Sequence, residues 1–280
     1  MMYDYLNIGC GSHAHPEWHN IDMVANAKGV RVYDLRKGLP YAADSMDATY
    51  SSHVLEHLSP EAGRTFIDEQ FRVLRKEGVI RLVVPDLEQK VRLYLHHLER
   101  AKIGEDSGEY DWMLIELYDQ FARRVSGGQM RAVLKDRSLP IRDFIRDRMG
   151  AQFAHFFEDE MPKDMHTMRY SLPYRKRVFR KIKVLLEGLR KQVAFWLLAL
   201  LGGKSFVTAF REGLFINGGQ LHLWMYDAYS VERLLKDGGF SDVRVCIASE
   251  SRIPEFDRFE LDVIRGKIRK ADSLFVEAVK

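Results

Sequence analysis

Leu6-Asn7-Ile8-Gly9-Cys10-Gly11-Ser12 is a short apolar run that ends in a turn framed by two glycines. Glycine has no side chain, so a strand stopping at Gly-x-Gly lets the backbone approach a bound molecule closely. Acidic residues follow at the ends of two further strand-like pieces, Asn20-Ile21-Asp22 and Val30-Arg31-Val32-Tyr33-Asp34. A glycine turn followed by two spaced carboxylates is what the nucleoside-binding edge of an open α/β sheet requires, with Asp22 placed to accept hydrogen bonds from both ribose hydroxyls.

A second cluster, Ser52-His53-Val54-Leu55-Glu56-His57, follows a strand and opens a short helix. Spacings of three and four put His53, Glu56 and His57 on one face, where a histidine or carboxylate could take a proton from an acceptor hydroxyl. The competing reading is that Glu56 and His57 pair only with the sheet edge or solvent. The same string literally matches His-x-x-Glu-His, the inverted zinc-peptidase motif. That chemistry needs a long helix and a downstream acidic ligand, and Ser59-Pro60 interrupts the local helix, so a peptidase is the lesser alternative. His13, His15 and His19 lie on a polar loop and read as solvated, so no metal is expected.

These residues need a sheet to position them. Strands are expected at 3–9, 19–22, 30–34, 47–52 and 79–84. Between the last two, Pro60 to Lys76 reads as a helix capped by Ser59, with Phe66, Ile67, Phe71 and Leu74 at helical spacing and Gly78 ending it. Only nine residues separate Gly11 from Ile21, too few for a crossover helix, so Ser12–His19 is expected to be irregular. Near the end of the sequence, Ser230 can cap a helix through Leu235 closed by Gly238-Gly239, before strands Asp242–Ile247 and Ser273–Val279. The fold class is therefore α/β, a doubly wound, Rossmann-like, mostly parallel sheet with a large helical insertion after the fifth strand. Residues 1–87 and 219–280 form the core, and 88–218 form the insertion. Helices are expected there at Val91–Ala101, Tyr110–Val125, Ile141–Phe157 and Tyr174–Leu201. Ligands bind at the carboxyl ends of such strands, so the insertion should roof the site and bind the acceptor. His222 and Tyr226, where the chain re-enters the sheet, either face the acceptor pocket or, the first expectation, pack beneath the insertion.

Composition adds context. Two cysteines in 280 residues, Cys10 and Cys246, argue against a disulfide scaffold, and residues 1–12 read as strand and turn, not as a leader, so a cytoplasmic location is expected. The net charge is +3, but Lys163 to Arg211 holds twelve Lys and Arg against two acids, leaving the rest net acidic. Within it Arg175-Lys176-Arg177, Arg180-Lys181 and Lys183 precede the apolar residues Val193–Leu201. Those nine residues are too few to span a bilayer. Either they pack into the insertion, the first expectation, or 174–203 makes peripheral contact with an anionic inner membrane surface. Aromatics do not interleave with the basic residues, which argues against nucleic acid.

Four segments carry a specific resemblance: Leu6–Ser12, Trp18–Asp22, Asp44–Leu58 and Ser273–Ala278. The sequence resembles class I S-adenosylmethionine-dependent methyltransferases of the bacterial type-11-like subgroup, over about half of the chain. The resemblance implies S-adenosylmethionine as cofactor, with Asn7, Gly9, Cys10 and Gly11 under its methionine part and Asp22 at the ribose. It implies Asp34 and Leu35 at the adenine, Ser52 and His53 beside the methyl donor, and His53, Glu56 and His57 as catalytic candidates. It further implies methyl transfer to an oxygen or nitrogen of a small-molecule, sugar or lipid-linked glycan acceptor. The alternative from another class is a non-catalytic S-adenosylmethionine-binding protein.

Overall fold

Alternation of side chains along the strands divides the core in two. Leu6, Ile8, Ile80, Leu82, Val84, Val276 and Ala278 point to one face, while Tyr5, Tyr50, Val83 and Phe275 point to the other. The computed structural model of this chain describes residues 3–25, 27–136, 138–156, 174–216 and 218–280. Its sheet holds seven strands: β1 (Tyr5–Ile8), β2 (His19–Asp22), β3 (Val30–Val32), β4 (Met46–Ser52), β5 (Leu74–Pro85), β6 (Ser241–Cys246) and, last in sequence, β9 (Ser273–Val279). A separate hairpin pairs β7 (Val263–Ile264) with β8 (Lys267–Ile268). The sheet order is β3-β2-β1-β4-β5-β9-β6, parallel except that β9 runs antiparallel to both neighbours. This is the expected mostly parallel Rossmann-like sheet. The strand order reverses between β1 and β4, so the Gly9 turn and the Ser52–His57 segment flank the crevice where such sheets bind ligands.

Helices α1 (Pro60–Val73) and α7 (Ala228–Asp237) bury Phe66, Ile67, Val231 and Leu235 against the first face. On the second face Trp18, Phe256 and Phe259 join Tyr5 and Tyr50 in an aromatic cluster. The loop from Gly11 to β2 contains no helix, as its length dictates. Three boundaries differ from expectation. The first helix stops at Val73, because Leu74 already pairs with Met46. The strand then bulges through Glu77, at φ +64°, before Val79 resumes pairing with Ala48, so Gly78 lies inside β5. The cap of α7 is Asp227, whose carboxylate accepts from the Ser230 N–H while the Ser230 hydroxyl accepts from the Asp227 N–H.

The insertion leaves at Asp86, whose side chain caps α2 (Leu87–Lys102), and the chain returns at Tyr226, whose carbonyl accepts from Leu87 N–H. Then come α3 (Glu109–Ala122), α4 (Gly128–Leu134) and α5 (Arg142–Met149). The helix expected over Ile141–Phe157 breaks at Gly150, φ +64°, into a 3₁₀ turn, and Phe157 lies outside the described residues. These helices bury their own cluster, Trp112, Met113, Leu134, Ile141, Ile145 and Phe153.

Helix α6 (Tyr174–Ile216) runs past the expected Leu201 and is interrupted at Gly203, φ +68° and ψ −162°. The expectation that its apolar part packs into the insertion is corrected. Trp196 is 66% exposed and Leu201 80% exposed, and Phe195 meets the following segment, at Phe210 and Arg211. Gly188–Ile216, with mean hydropathy 1.7, is by length and composition long and apolar enough to cross a membrane, unlike the nine residues judged from sequence.

Candidate functional site

Floor and roof of one cavity, about 530 Å³, come from opposite ends of the chain. Gly9 (φ +67°) and Gly11 (φ +55°) make the turn after β1. The Gly9 N–H donates to the Ile21 carbonyl at 2.8 Å and the Gly11 N–H to Asp22 Oδ2 at 2.9 Å, so β2 holds the turn in place. A Cβ on Gly9 would stand 2.3 Å from a Val54 methyl. One on Gly11 would meet nothing within 4 Å. The turn is thus closed on its inner side and bare where it meets the cavity. Cys10 also lines the floor, and burial, aided by the Asp22 charge, pushes its thiol up to about 12.

Ser12 extends the floor past the turn with His13, a residue expected to be solvated, and Ser52, His53 and His57 complete it. His53 sits in the left-handed region at φ +56°, its Nε2 2.8 Å from the Ser273 hydroxyl. Its Nδ1 lies 3.1 Å from Glu56 Oε1 but off the hydrogen-bonding line, so both Glu56 oxygens, fully buried, have no hydrogen-bond partner among the described residues. Burial, with the Lys270 and Arg269 charges behind it, holds His53 well below the usual histidine range and so neutral. Burial pushes the Glu56 carboxyl up to about 7. The His57 Nδ1 faces the Leu221 carbonyl at 2.8 Å. A carbonyl only accepts, so Nδ1 carries the proton and Nε2 is left as a lone pair.

The roof is Gln120, Arg123, Met130 and Gln152 from the insertion, His222 from the returning chain, and Arg269, Lys270 and Asp272 from the segment before β9. Buried ion pairs tie it down. Lys90 Nζ lies 2.8 Å from Asp272 and 3.1 Å from Glu116, and Arg148 also donates to Glu116. Arg269 donates to the Tyr50 hydroxyl at 2.9 Å and to Ser52 at 2.7 Å. Burial, reinforced by Arg269, pushes the Lys270 ammonium down to about 7. A larger hollow, about 620 Å³, lies along α3 and α4, but it is lined mainly by apolar residues and contains neither the glycine turn nor the β4 end.

The sequence-expected residues therefore separate. Gly9, Cys10, Gly11, Ser52, His53 and His57 share the cavity, while Asn7, Asp22, Asp34, Leu35 and Glu56 do not line it. The buried Asn7 amide donates to the His13 carbonyl and to Asn20 Oδ1, bracing the loop. Asp22 spends one oxygen on Gly11 and the other on the Val24 N–H. Asp34 chelates the Arg36 guanidinium, and Leu35 packs against the core. Glu56 lies under the floor. His222 lines the cavity instead of packing beneath the insertion, whereas Tyr226 does join the core. Sequence reasoning missed Arg123, Arg269 and Lys270 in the roof, because no local pattern marks them as facing the glycine turn. The three loop histidines do not converge: His15 packs on Phe259 and accepts from the Glu17 N–H, and His19 faces Asp4.

Residues 6–82 match the family described as Methyltransferase domain. Among solved structures, the chain is similar to an S-adenosylmethionine-dependent methyltransferase from Archaeoglobus fulgidus at 10% identity and TM-score 0.39, covering 99% of this chain and 86% of that one. It is similar to another from Thermotoga maritima at 11% identity and TM-score 0.38, covering 99% and 82%. A third, from Methanosarcina mazei, is 22% identical with TM-score 0.28, covering 36% and 62%. No curated protein matches the chain.

Proposed function

We propose that the chain, whose residues 6–82 match the methyltransferase-domain family, is an S-adenosylmethionine-dependent methyltransferase and that it methylates an oxygen or nitrogen of a hydroxyl-rich acceptor, a sugar or a lipid-linked glycan. The cavity suits the cofactor: a glycine turn, bare on the ligand side, meets a strand end carrying Ser52 and His53. When bound, S-adenosylmethionine supplies a methyl group already activated on its sulfonium. The chain's part is then to hold both reactants and exclude water, which can contribute most of the acceleration. In this reading Gly9, Cys10, Gly11, Ser52 and His53 hold the cofactor. Asp22 fixes the Gly11 amide, and Asp34 with Leu35 borders its adenosyl end.

The observation that carries the acceptor class is the roof. Gln120, Arg123, Gln152 and Lys270 offer amide and cationic donors, and Asp272 a carboxylate, over a floor whose His57 presents a lone pair. Such a lining can recognise several hydroxyls at once. A lipid-linked form of that acceptor, and peripheral contact of 174–203 with an anionic inner membrane surface, is supported by the exposed Trp196, Leu200 and Leu201 beside a basic run. The peptidase reading finds no support in the geometry, since Leu55–His57 is a single 3₁₀ turn and His53 is turned to Ser273.

Product formation from a panel of sugar and lipid-linked acceptors, alongside calorimetric titration of S-adenosylmethionine, tests the proposal. Methylated product from hydroxyl-rich acceptors alone is expected. Cofactor binding with no product across the panel would favour the non-catalytic binder. Charge reversal at Arg180, Lys181 and Lys183 should abolish co-sedimentation with anionic vesicles, and unchanged sedimentation would remove the membrane contact.

A further inference from the structure

Glu56, His57 and His222 meet at the edge of the cavity, and we propose that they form a site for one divalent transition-metal ion. Each offers one ligand atom, and the three atoms lie within 4.8 Å of one another. Tetrahedral ligands on a common ion at about 2.1 Å stand about 3.4 Å apart. Closing the set therefore takes shifts of about an ångström.

Several independent features converge. The Glu56 carboxylate is fully buried and makes no hydrogen bond to another described residue, with His53 Nδ1 3.1 Å from Oε1, and such burial costs free energy unless a cation or donor meets it. His53, its nearest neighbour, is off the hydrogen-bonding line, and Lys270 supplies no hydrogen bond to it. The His57 ring is oriented by its Nδ1–H donating to the Leu221 carbonyl, the outer contact that metal-binding histidines commonly make, leaving Nε2 as ligand. His222 belongs to the next turn of the same arrangement. The Leu223 and Trp224 N–H groups both donate to the Glu56 carbonyl, at 2.7 and 3.2 Å, clamping the 221–224 segment against the 3₁₀ turn. The two imidazoles stand edge to face at 4.9 Å. Two imidazoles and one carboxylate are a three-ligand set of the kind that leaves a coordination position open. Since His57 and His222 both line the cavity, that position faces it.

This set differs from the His53-x-x-Glu56-His57 string, because His222 replaces His53 and comes from beyond the insertion. It departs from the expectation of no metal. The other convergent group, His97, Asp106 and Glu109, is less suited, because its carboxylates already accept from the Gly108, Tyr110 and Ser107 N–H groups. Resting on the oxygen-acceptor reading above, the open position would take an acceptor hydroxyl, which a bound cation makes easier to deprotonate.

The test uses the full-length protein, stripped with chelator, and titrates Zn²⁺ by calorimetry and Co²⁺ by absorption, without acceptor. One equivalent should bind, with the intense visible bands of low-coordinate cobalt. Glu56→Gln and His222→Ala should each weaken binding at least tenfold, while His19→Gln, at the exposed start of β2, leaves it unchanged. Wild type taking up no metal, or Glu56→Gln and His222→Ala both binding like wild type, would overturn the site. Should Glu56→Gln fail to fold by circular dichroism, His222→Ala decides alone, since its ring borders the cavity. S-adenosylmethionine titrated into the same metal-free protein separates the two proposals. Cofactor binding without metal uptake sinks only the metal site, and metal uptake without cofactor binding sinks only the proposed function.

Discussion

The cavity floor is made by two adjacent strand ends, whereas its roof gathers Gln120, Arg123, His222, Arg269, Lys270 and Asp272 from three distant stretches of chain. The floor is held by the sheet itself: parallel pairing of β1 with β2 and β4, and backbone bonds from Gly9 to Ile21. The roof is held by charge. Lys90 joins Glu116 on α3 to Asp272 just ahead of β9, and Arg148 on α5 adds to Glu116. Hydrogen-bonded sheet gives a rigid cradle for an invariant reactant, while a roof pinned by a few buried ions can be altered one residue at a time without touching the cradle. Under the proposed function, acceptor choice would thereby be separated from cofactor binding.

The comparison is broken most severely by Lys90→Met. It takes the shared cation from the buried Glu116, which keeps Arg148, and from the partly exposed Asp272, and breaking a buried pair in this way typically costs about 3–5 kcal/mol. Urea unfolding should show that loss, and limited proteolysis should cut within α2 to α5 before the sheet. A loss below about 1 kcal/mol would mean that the Trp112 and Met113 cluster, not the ion network, carries the roof.

On the floor, Gly9→Ala should cost about 2–4 kcal/mol, combining a left-handed backbone with a Cβ pressed on Val54. Gly11→Ala has the backbone cost alone, about 1–2 kcal/mol, because its Cβ meets open space. Adding Val54→Ala should recover part of the first loss and none of the second. Equal melting temperatures for the two single variants would contradict this account of the turn. Asp22→Ala comes next: releasing the Gly11 amide and the ribose side of the site should weaken S-adenosylmethionine binding at least tenfold, about 1.4 kcal/mol by calorimetry. Unchanged affinity would remove Asp22 from the cofactor site.

The same division explains what could be read from the sequence. The floor is local: glycine spacing, period-two strands and the order of the acidic ends are all written within a few dozen residues. The sheet class followed from these signals, and the loop without a helix from simple length. The roof is not local. Lys90 and Asp272 are 182 residues apart, and neither looks unusual among its neighbours. Arg81, in the middle of a buried strand, gave no hint of its pairing with Asp262 and Glu277. Glu56 was legible as a polar residue of interest, but its burial under the floor depends on the 221–224 segment folding back over it. Helix lengths were misjudged where one glycine or one bulge decides them, at Gly150 and Glu77.

Asp34 gives the smallest effect and the sharpest contrast with Asp22, because Asp22 ends β2 whereas Asp34 lies two residues past the end of β3. The Arg36 guanidinium, bonded to both carboxylate oxygens, holds the Asp34 carboxyl down to about 2, against 3.8 ordinarily. With the folded value below the unfolded one, the pair's contribution is fully present above pH 4 and is lost as pH falls from there toward 2. The Arg36 side chain is 65% exposed, so solvent and salt screen the pair, and the contribution is expected to stay below about 1 kcal/mol. Asp34→Asn should therefore shift the melting temperature slightly at pH 7 and not at all at pH 2 or in molar salt. It should weaken cofactor binding by less than Asp22→Ala does, since its oxygens are already held by Arg36. An Asp34→Asn defect as large as that of Asp22→Ala would mean that the guanidinium swings away when the adenosyl group arrives. The floor would then extend one strand further than the hydrogen bonds of β1 and β2 define it.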